Sequence, residues 1–198
     1  MTSSDNPLAQ TLGFIGYSDR LKQVIRRNGL WDGSRPENTA EHSWHAALSA
    51  QLLAPYANQP IDVDKVTRML LIHDLIEIEA GDTFIYDAKG LAAQEDAELK
   101  AAGVVFGHLP QEQGQALRAL WNEFEERSTQ EAKFAKAIDR FLPLYSNYAN
   151  GGFSWRAHLV TKGQVVEICA IIQDGSRQLW AVAEQMLEES VQKGWLLP

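Results

Sequence analysis

The adjacent pair His73-Asp74 lies inside MLLIHDLIEIEAGD, residues 69 to 82, the most apolar helix-like stretch of the chain. A carboxylate buried there without a partner costs several kcal/mol or more, so it is normally paired, protonated or bound to a metal. Companions exist at His42, in ENTAEHSWH, and at Asp139, in AKAIDRFL. Two imidazoles and two carboxylates form a mixed nitrogen and oxygen ligand set for one divalent cation, be it manganese, cobalt, iron, nickel, zinc or magnesium. Four protein ligands leave such an ion an open position, the mark of a catalytic rather than a structural site. There it would activate a water and polarise a phosphoryl oxygen.

Further groups suit the same chemistry. Glu77 follows His73 by one helical turn and shares its face, so it is the candidate for orienting or deprotonating a water. Asp82, just past the expected helix end, is placed to protonate a leaving oxygen. Arg20, Lys22, Arg26, Arg27 and Arg35 gather basic charge into one short stretch of an acidic chain. Arg26 is the candidate phosphate clamp, because a guanidinium fork binds phosphate oxygens bidentately, and Arg27 and Arg35 are further substrate-binding candidates. His45 is expected to pack beside the site, His108 and His158 to lie on the surface, and Trp31 to be within reach of a ligand.

The elements that must position these residues read as helices. Apolar residues recur at helical spacing and strand-like alternation is scarce, so the expected fold class is all-α, a single helical bundle. One domain is expected over residues 1–198, with the metal-site motifs within 35–142. The first helix is expected from Leu8 to Arg27, stopping at Gly29, followed by a loop, GLWDGSRPEN. Asn38 with Glu41 resembles a capping box for a second helix that fades near Pro55. Asp62 caps a third, which is expected to run through His73 and Glu77 to Gly81. TFIYDAKG, residues 83 to 90, reads as a connecting loop, LAAQEDAELKAAGVVFGHL as a fourth helix, and Pro110 as the opening of a fifth. Ser128 with Glu131 suggests a box for the helix carrying Asp139, with a kink or break at Pro143. GGFSW, 151 to 155, reads as a loop, and Thr161 with Gln164 as a cap before a last helix ending near Gly194.

Composition narrows the partners. A formal charge of -8 works against binding a nucleic-acid polymer, whose phosphates reward basic surfaces, and leaves a small anion as the natural ligand. Cys169 is the sole cysteine, so no internal disulfide and no thiolate zinc site can form, and a reducing, cytoplasmic setting is expected. MTSSDNPLAQ lacks a basic segment followed by an apolar one, and no run of 18 apolar residues occurs, so neither secretion nor a membrane partner is expected.

A histidine, a His-Asp doublet and a later aspartate on a helical bundle resemble the HD superfamily of metal-dependent phosphohydrolases. The match carries over as His42, His73, Asp74 and Asp139. RPENTAEHS (35–43), HDLIEIEAGD (73–82) and STQEAKFAKAIDRF (128–141) resemble in particular the branch containing the bacterial 5'-deoxynucleotidases and their human HD-domain relative. That resemblance implies hydrolysis of a deoxyribonucleoside 5'-monophosphate to nucleoside and phosphate, with a divalent metal such as cobalt or manganese, in a homodimer. It also implies catalytic roles for the acids at Glu77 and Asp82 and a substrate role for Arg26. Arg27 stands where the branch carries a tryptophan, and GLWDGSRP lengthens the connection to the His42 helix. The alternatives are an HD-type phosphodiesterase or nucleotide polyphosphate hydrolase, a non-catalytic metal-bound nucleotide sensor, and, more remotely, a diiron oxygenase.

Overall fold

The computed structural model describes residues 6–82 and 88–198 and is built mostly of helices. In chain order these are α1 (Pro7–Ser18), α2 (Thr39–Leu53), α3 (Val63–Ile72), α4 (Glu77–Ala80), α5 (Ala88–Gly107), α6 (Gln111–Glu126) and α7 (Gln130–Ala149). They are followed by α8 (Phe153–Ala157), α9 (Lys162–Cys169), α10 (Ile172–Gly175) and α11 (Arg177–Gln192). Helix α7 is the axis of the fold. Its buried face includes Phe134, Ala135, Ile138, Phe141 and Leu142, and α2, α3, α6, α10 and α11 pack around it. A second apolar cluster, formed by Leu21, Leu75, Ile76, Val105, Phe106 and Trp121, ties the α3–α4 turn to α5 and α6.

Local signals fixed several boundaries. Asn38 accepts a hydrogen bond from the Glu41 amide while Glu41 reaches back to the Asn38 amide, a reciprocal capping box that starts α2. Asp62 caps α3, the Thr161–Gln164 box starts α9, and Gly81 ends α4 at φ 76. The helix carrying Asp139 is capped by Thr129 rather than Ser128, one residue later than expected.

Other expectations are corrected. The first helix stops at Ser18, passes through a 3-10 turn at Asp19–Gln23, and gives way to β1 (Ile25–Gly29), which pairs antiparallel with β2 (Pro36–Asn38). Arg26 and Arg27 are therefore strand residues whose side chains face opposite ways, one buried and one exposed. A small two-stranded ribbon thus interrupts the helical pattern. Helix α7 runs through Pro143 without a break; Pro143 lacks the amide that would bond the Asp139 carbonyl, and the buried residues on both sides of it, among them Phe141, Leu142 and Leu144, hold the helix in the core. Part of GGFSW folds into α8 after two glycines at positive φ, and Pro110 precedes α6 as its cap residue rather than opening it. The loop expected at 83–90 falls outside the described residues up to 87, and residues 88–90 belong to α5.

Helix α2 buries small residues, Ala46, Ala47 and Ala50, while Trp44, Leu48 and Leu52 point outward. Small inward residues let α2 lie close to α3 and α7. The same economy holds at Gly175, where a Cβ would sit 2.4 Å from the Lys133 carbonyl oxygen and 2.7 Å from Ala137 Cβ. A Gly175→Ala change should therefore destabilise the protein by about 1–3 kcal/mol. Gly13→Ala, in a helix with open space at that position, should stabilise it by about 0.5–1 kcal/mol. Chemical denaturation of the two variants checks the pair of opposite signs; a neutral Gly175→Ala would contradict the α7–α10 packing described here.

Candidate metal centre and active site

Three elements converge on the candidate site. Helix α2, started by its capping box, delivers His42 one turn in, with 1% exposure. Helix α7 delivers Asp139 from its most buried stretch. The doublet itself sits where α3 stops being helical. From Ile72 onward the hydrogen bonds shorten to i→i+3, as in Leu75 N–H to the Ile72 carbonyl and Glu77 N–H to the Asp74 carbonyl. The His73 carbonyl, released from the helix ladder, accepts a hydrogen bond from the Trp121 indole at 3.1 Å. In so tight a turn side chains at i and i+3 eclipse, which brings Asp74 and Glu77 onto one side. The sequence reading expected one continuous helix here; the break aligns the acids more closely than a regular α-helix would.

At the centre, Asp139 Oδ1 lies 3.1 Å from His42 Nε2 and 3.4 Å from His73 Nε2. Asp74 Oδ2 lies 3.1 Å from His73 Nε2 and 3.9 Å from His42 Nε2. One ligand atom from each of His42, His73 and Asp139 falls within 4.8 Å of the others. The His73 Nδ1 is 2.8 Å from the Leu70 carbonyl, which can only accept, so Nδ1 carries a hydrogen and Nε2 is turned to the carboxylates. That Nε2 is buried and has no hydrogen-bond partner among the described residues. Burial lowers the His73 pKa, but Asp74 and Asp139 outweigh it and push it up to about 10. The pocket is thus electrostatically arranged for positive charge, and a metal ion at these ligand atoms would supply it. His42, His73, Asp74 and Asp139 fit that role by donor type and convergence.

Around this core stands a second tier of acids gathered on Arg26, which is 9% exposed. Its Nη1 is 2.8 Å from Asp74 Oδ2 and 3.8 Å from both Glu77 Oε1 and Asp82 Oδ1. Glu77 is further fixed by the Thr39 hydroxyl, which donates to Oε2 at 2.8 Å. Burial, then the charge of Asp74, raises the Glu77 pKa well above the usual carboxylate value. Burial also raises that of Asp82, against the pull of Arg26. Asp74 and Asp139 behave oppositely: burial would raise them, but His73 and Arg26 hold Asp74 low, and Arg140, His42 and His73 hold Asp139 low. One set of carboxyls is kept ionised for cation binding, and another is shifted towards the range useful for proton transfer.

The cluster forms one wall of a cavity of about 740 Å³, a size that suits a small-molecule ligand. Asp82, Glu77, Arg26 and Arg27 all line it. Arg35 does not; it forms a bidentate pair with Glu41, at 2.6 and 2.9 Å, on the outer side of the α2 cap. Trp31 is also placed elsewhere, against Tyr145, His45 and the Ser146 hydroxyl. Cys169 lines the cavity, but burial pushes its thiol up to about 12, so it is no nucleophile at neutral pH. Sequence reasoning missed Glu37, buried 3.6 Å from His42 Nδ1, and Thr39 and Trp121, whose contacts are long-range. The signal for Glu37 was its place immediately before the helix cap Asn38, in the segment RPENTAEHS.

Comparison with known proteins places this geometry. The family model described as "HD domain" matches residues 18–180, and the chain belongs to that family. Human 5'-deoxynucleotidase HDDC2 is 28% identical over 140 residues, covering 70% of this chain and 67% of the human protein. The 5'-deoxynucleotidase hdd1 of Schizosaccharomyces pombe is 26% identical over 200 residues, 89% of this chain and 97% of that one. The crystal structure of a predicted metal-dependent phosphohydrolase from Magnetospirillum magnetotacticum MS-1 superposes with a TM-score of 0.91 at 45% identity, over 97% of this chain and 99% of that one.

Proposed function

We propose that this chain, a metal-dependent phosphohydrolase of the HD domain family, cleaves the phosphate ester of nucleoside 5'-monophosphates to nucleoside and orthophosphate. The observation that carries the reading is the convergence of His42, His73, Asp74 and Asp139, the last three of which line a nucleotide-sized cavity. Relatives named 5'-deoxynucleotidases support the substrate class, with deoxyribonucleotides foremost. His42, His73, Asp74 and Asp139 would hold a divalent ion, which when bound would supply Lewis-acid polarisation of the phosphoryl oxygen and of an attacking water.

The chain's own groups complete the reaction. Glu77, held by the Thr39 hydroxyl and raised in pKa, takes the proton of the attacking water. Asp82, also raised, returns a proton to the leaving 5'-oxygen. Arg26 holds Asp74, Glu77 and Asp82 in one array and presents its charge to the phosphate. Arg27, exposed beside it on β1, reaches the nucleoside side of the cavity mouth.

The reading predicts metal-dependent release of orthophosphate, not pyrophosphate, from a nucleoside monophosphate panel. Glu77→Gln should lower kcat by about a hundredfold to ten-thousandfold while metal content stays unchanged. A metal-loaded protein that releases no phosphate from any member of the panel sinks the proposal.

We also assign a cytoplasmic homodimer. Leu8, Leu12 and Ile15 form an exposed apolar stripe on α1, and Trp44, Leu48 and Leu52 form another on α2, surfaces of a kind that partners cover. No helix among the described residues is long and apolar enough to cross a membrane. Light scattering should return twice the 22.1 kDa chain mass at micromolar concentration, and a monomer there refutes the dimer.

A further inference from the structure

Lys136 lies one turn before Asp139 on α7, in the middle of the buried face, and is only 9% exposed. Neither the ligand set nor the acid-base pair gives it a task. Its ammonium is 3.8 Å from Asp139 Oδ2, 3.5 Å from Glu125 Oε1 and 4.2 Å from the centre of the Phe124 ring. An ammonium carries three donors and can accept nothing. Among the described residues its one hydrogen bond is the 3.5 Å contact to Glu125, at the long limit for such a bond. A charge withdrawn this far from water requires stronger compensation than one long bond and a ring face.

The same side chain lines the cavity that holds the metal-site cluster. Arg26 meets Asp74, Glu77 and Asp82, whereas Lys136 meets Asp139, so the two buried cations approach the cluster against different carboxylates. Orienting Asp139 is a poor explanation for Lys136, because 3.8 Å exceeds a hydrogen bond and the Arg140 guanidinium stands about as near to the same oxygen, at 3.9 Å. The remaining donors have no hydrogen-bonded acceptor among the described residues, and the side chain lines the cavity.

We propose that Lys136 is a second anion-binding residue of this cavity, donating to a phosphoryl oxygen of the substrate and, after hydrolysis, to orthophosphate. The inference rests on the phosphohydrolase reading and adds to it a cationic contact on the α7 side, with Glu125 as the group that holds the ammonium when no phosphate is present. Binding then trades the long Glu125 contact for charge-assisted hydrogen bonds to phosphate.

The test uses full-length, metal-loaded protein with inorganic orthophosphate as the probe, measured by calorimetry and as a competitive inhibitor, beside elemental analysis of each variant. Lys136→Met should keep its metal while orthophosphate binding weakens and KM rises about 10- to 100-fold, and Lys136→Arg should recover most of the loss. Glu125→Gln keeps the lysine and should bind orthophosphate severalfold tighter, a gain that disappears when Lys136→Met is added. Equal orthophosphate affinity in wild type and Lys136→Met overturns the proposal, as does a Glu125→Gln gain that persists without the lysine. A wild-type protein that binds orthophosphate through Lys136 but hydrolyses no nucleotide would refute the phosphatase reading and leave this contact standing.

Discussion

The structure is organised around an excess of buried negative charge. Asp74, Asp139, Glu77, Asp82 and Glu37 gather around two imidazoles, with Arg26 beside Asp74, Glu77, Asp82 and Glu37 and with Lys136 and Arg140 beside Asp139, in a place where each carboxylate is costly to ionise. Arg26 offsets part of that cost, and a divalent ion held by the imidazoles and carboxylates would offset far more. The surrounding elements exist to hold these groups against their mutual repulsion. Helix α7 fixes Asp139 from the core, the α2 capping box fixes the rotation of His42, and β1 and β2 fix Arg26 as a buried strand residue that a free loop could not hold.

The break after Ile72 shows how packing serves chemistry. Trp121 takes up the freed His73 carbonyl, and Leu75 and Ile76 anchor the turn in the second apolar cluster. That anchoring lets the backbone tighten where Asp74 and Glu77 must face the same way. Their pKa values then diverge, Asp74 held low by His73 and Arg26, Glu77 raised by burial and by Asp74 itself. Divergent carboxyls a few residues apart are what a site needs if it must both bind a cation and move protons at neutral pH.

The groups that converge were legible in the sequence because each is chemically conspicuous in an apolar stretch. The caps at Asn38, Asp62 and Thr161 were legible because their signals are local, within three residues. What escaped depends on distant partners. Residues 25–29 look helical until the pairing with 36–38 makes them a strand, and the α3 break requires an indole from α6. Pro143 was expected to kink or break α7, but the helix continues through it, because the burial of its neighbours Phe141, Leu142 and Leu144 outweighs one missing hydrogen bond. Arg35 read as a phosphate residue from charge alone, and its bidentate pairing with Glu41 became visible only in three dimensions. Lys136 stood inside a motif already noticed, yet nothing in sequence separates a buried lysine from a solvated one.

The central claim, that the buried acids and imidazoles are arranged to hold a catalytic metal ion, is tested most directly by anomalous diffraction from crystals of metal-loaded protein. The account predicts one strong peak within coordination distance of His42 Nε2, His73 Nε2, Asp74 and Asp139, with Glu77 near it but not ligating. A peak elsewhere, or none at this cluster in protein that binds metal stoichiometrically in solution, would contradict it.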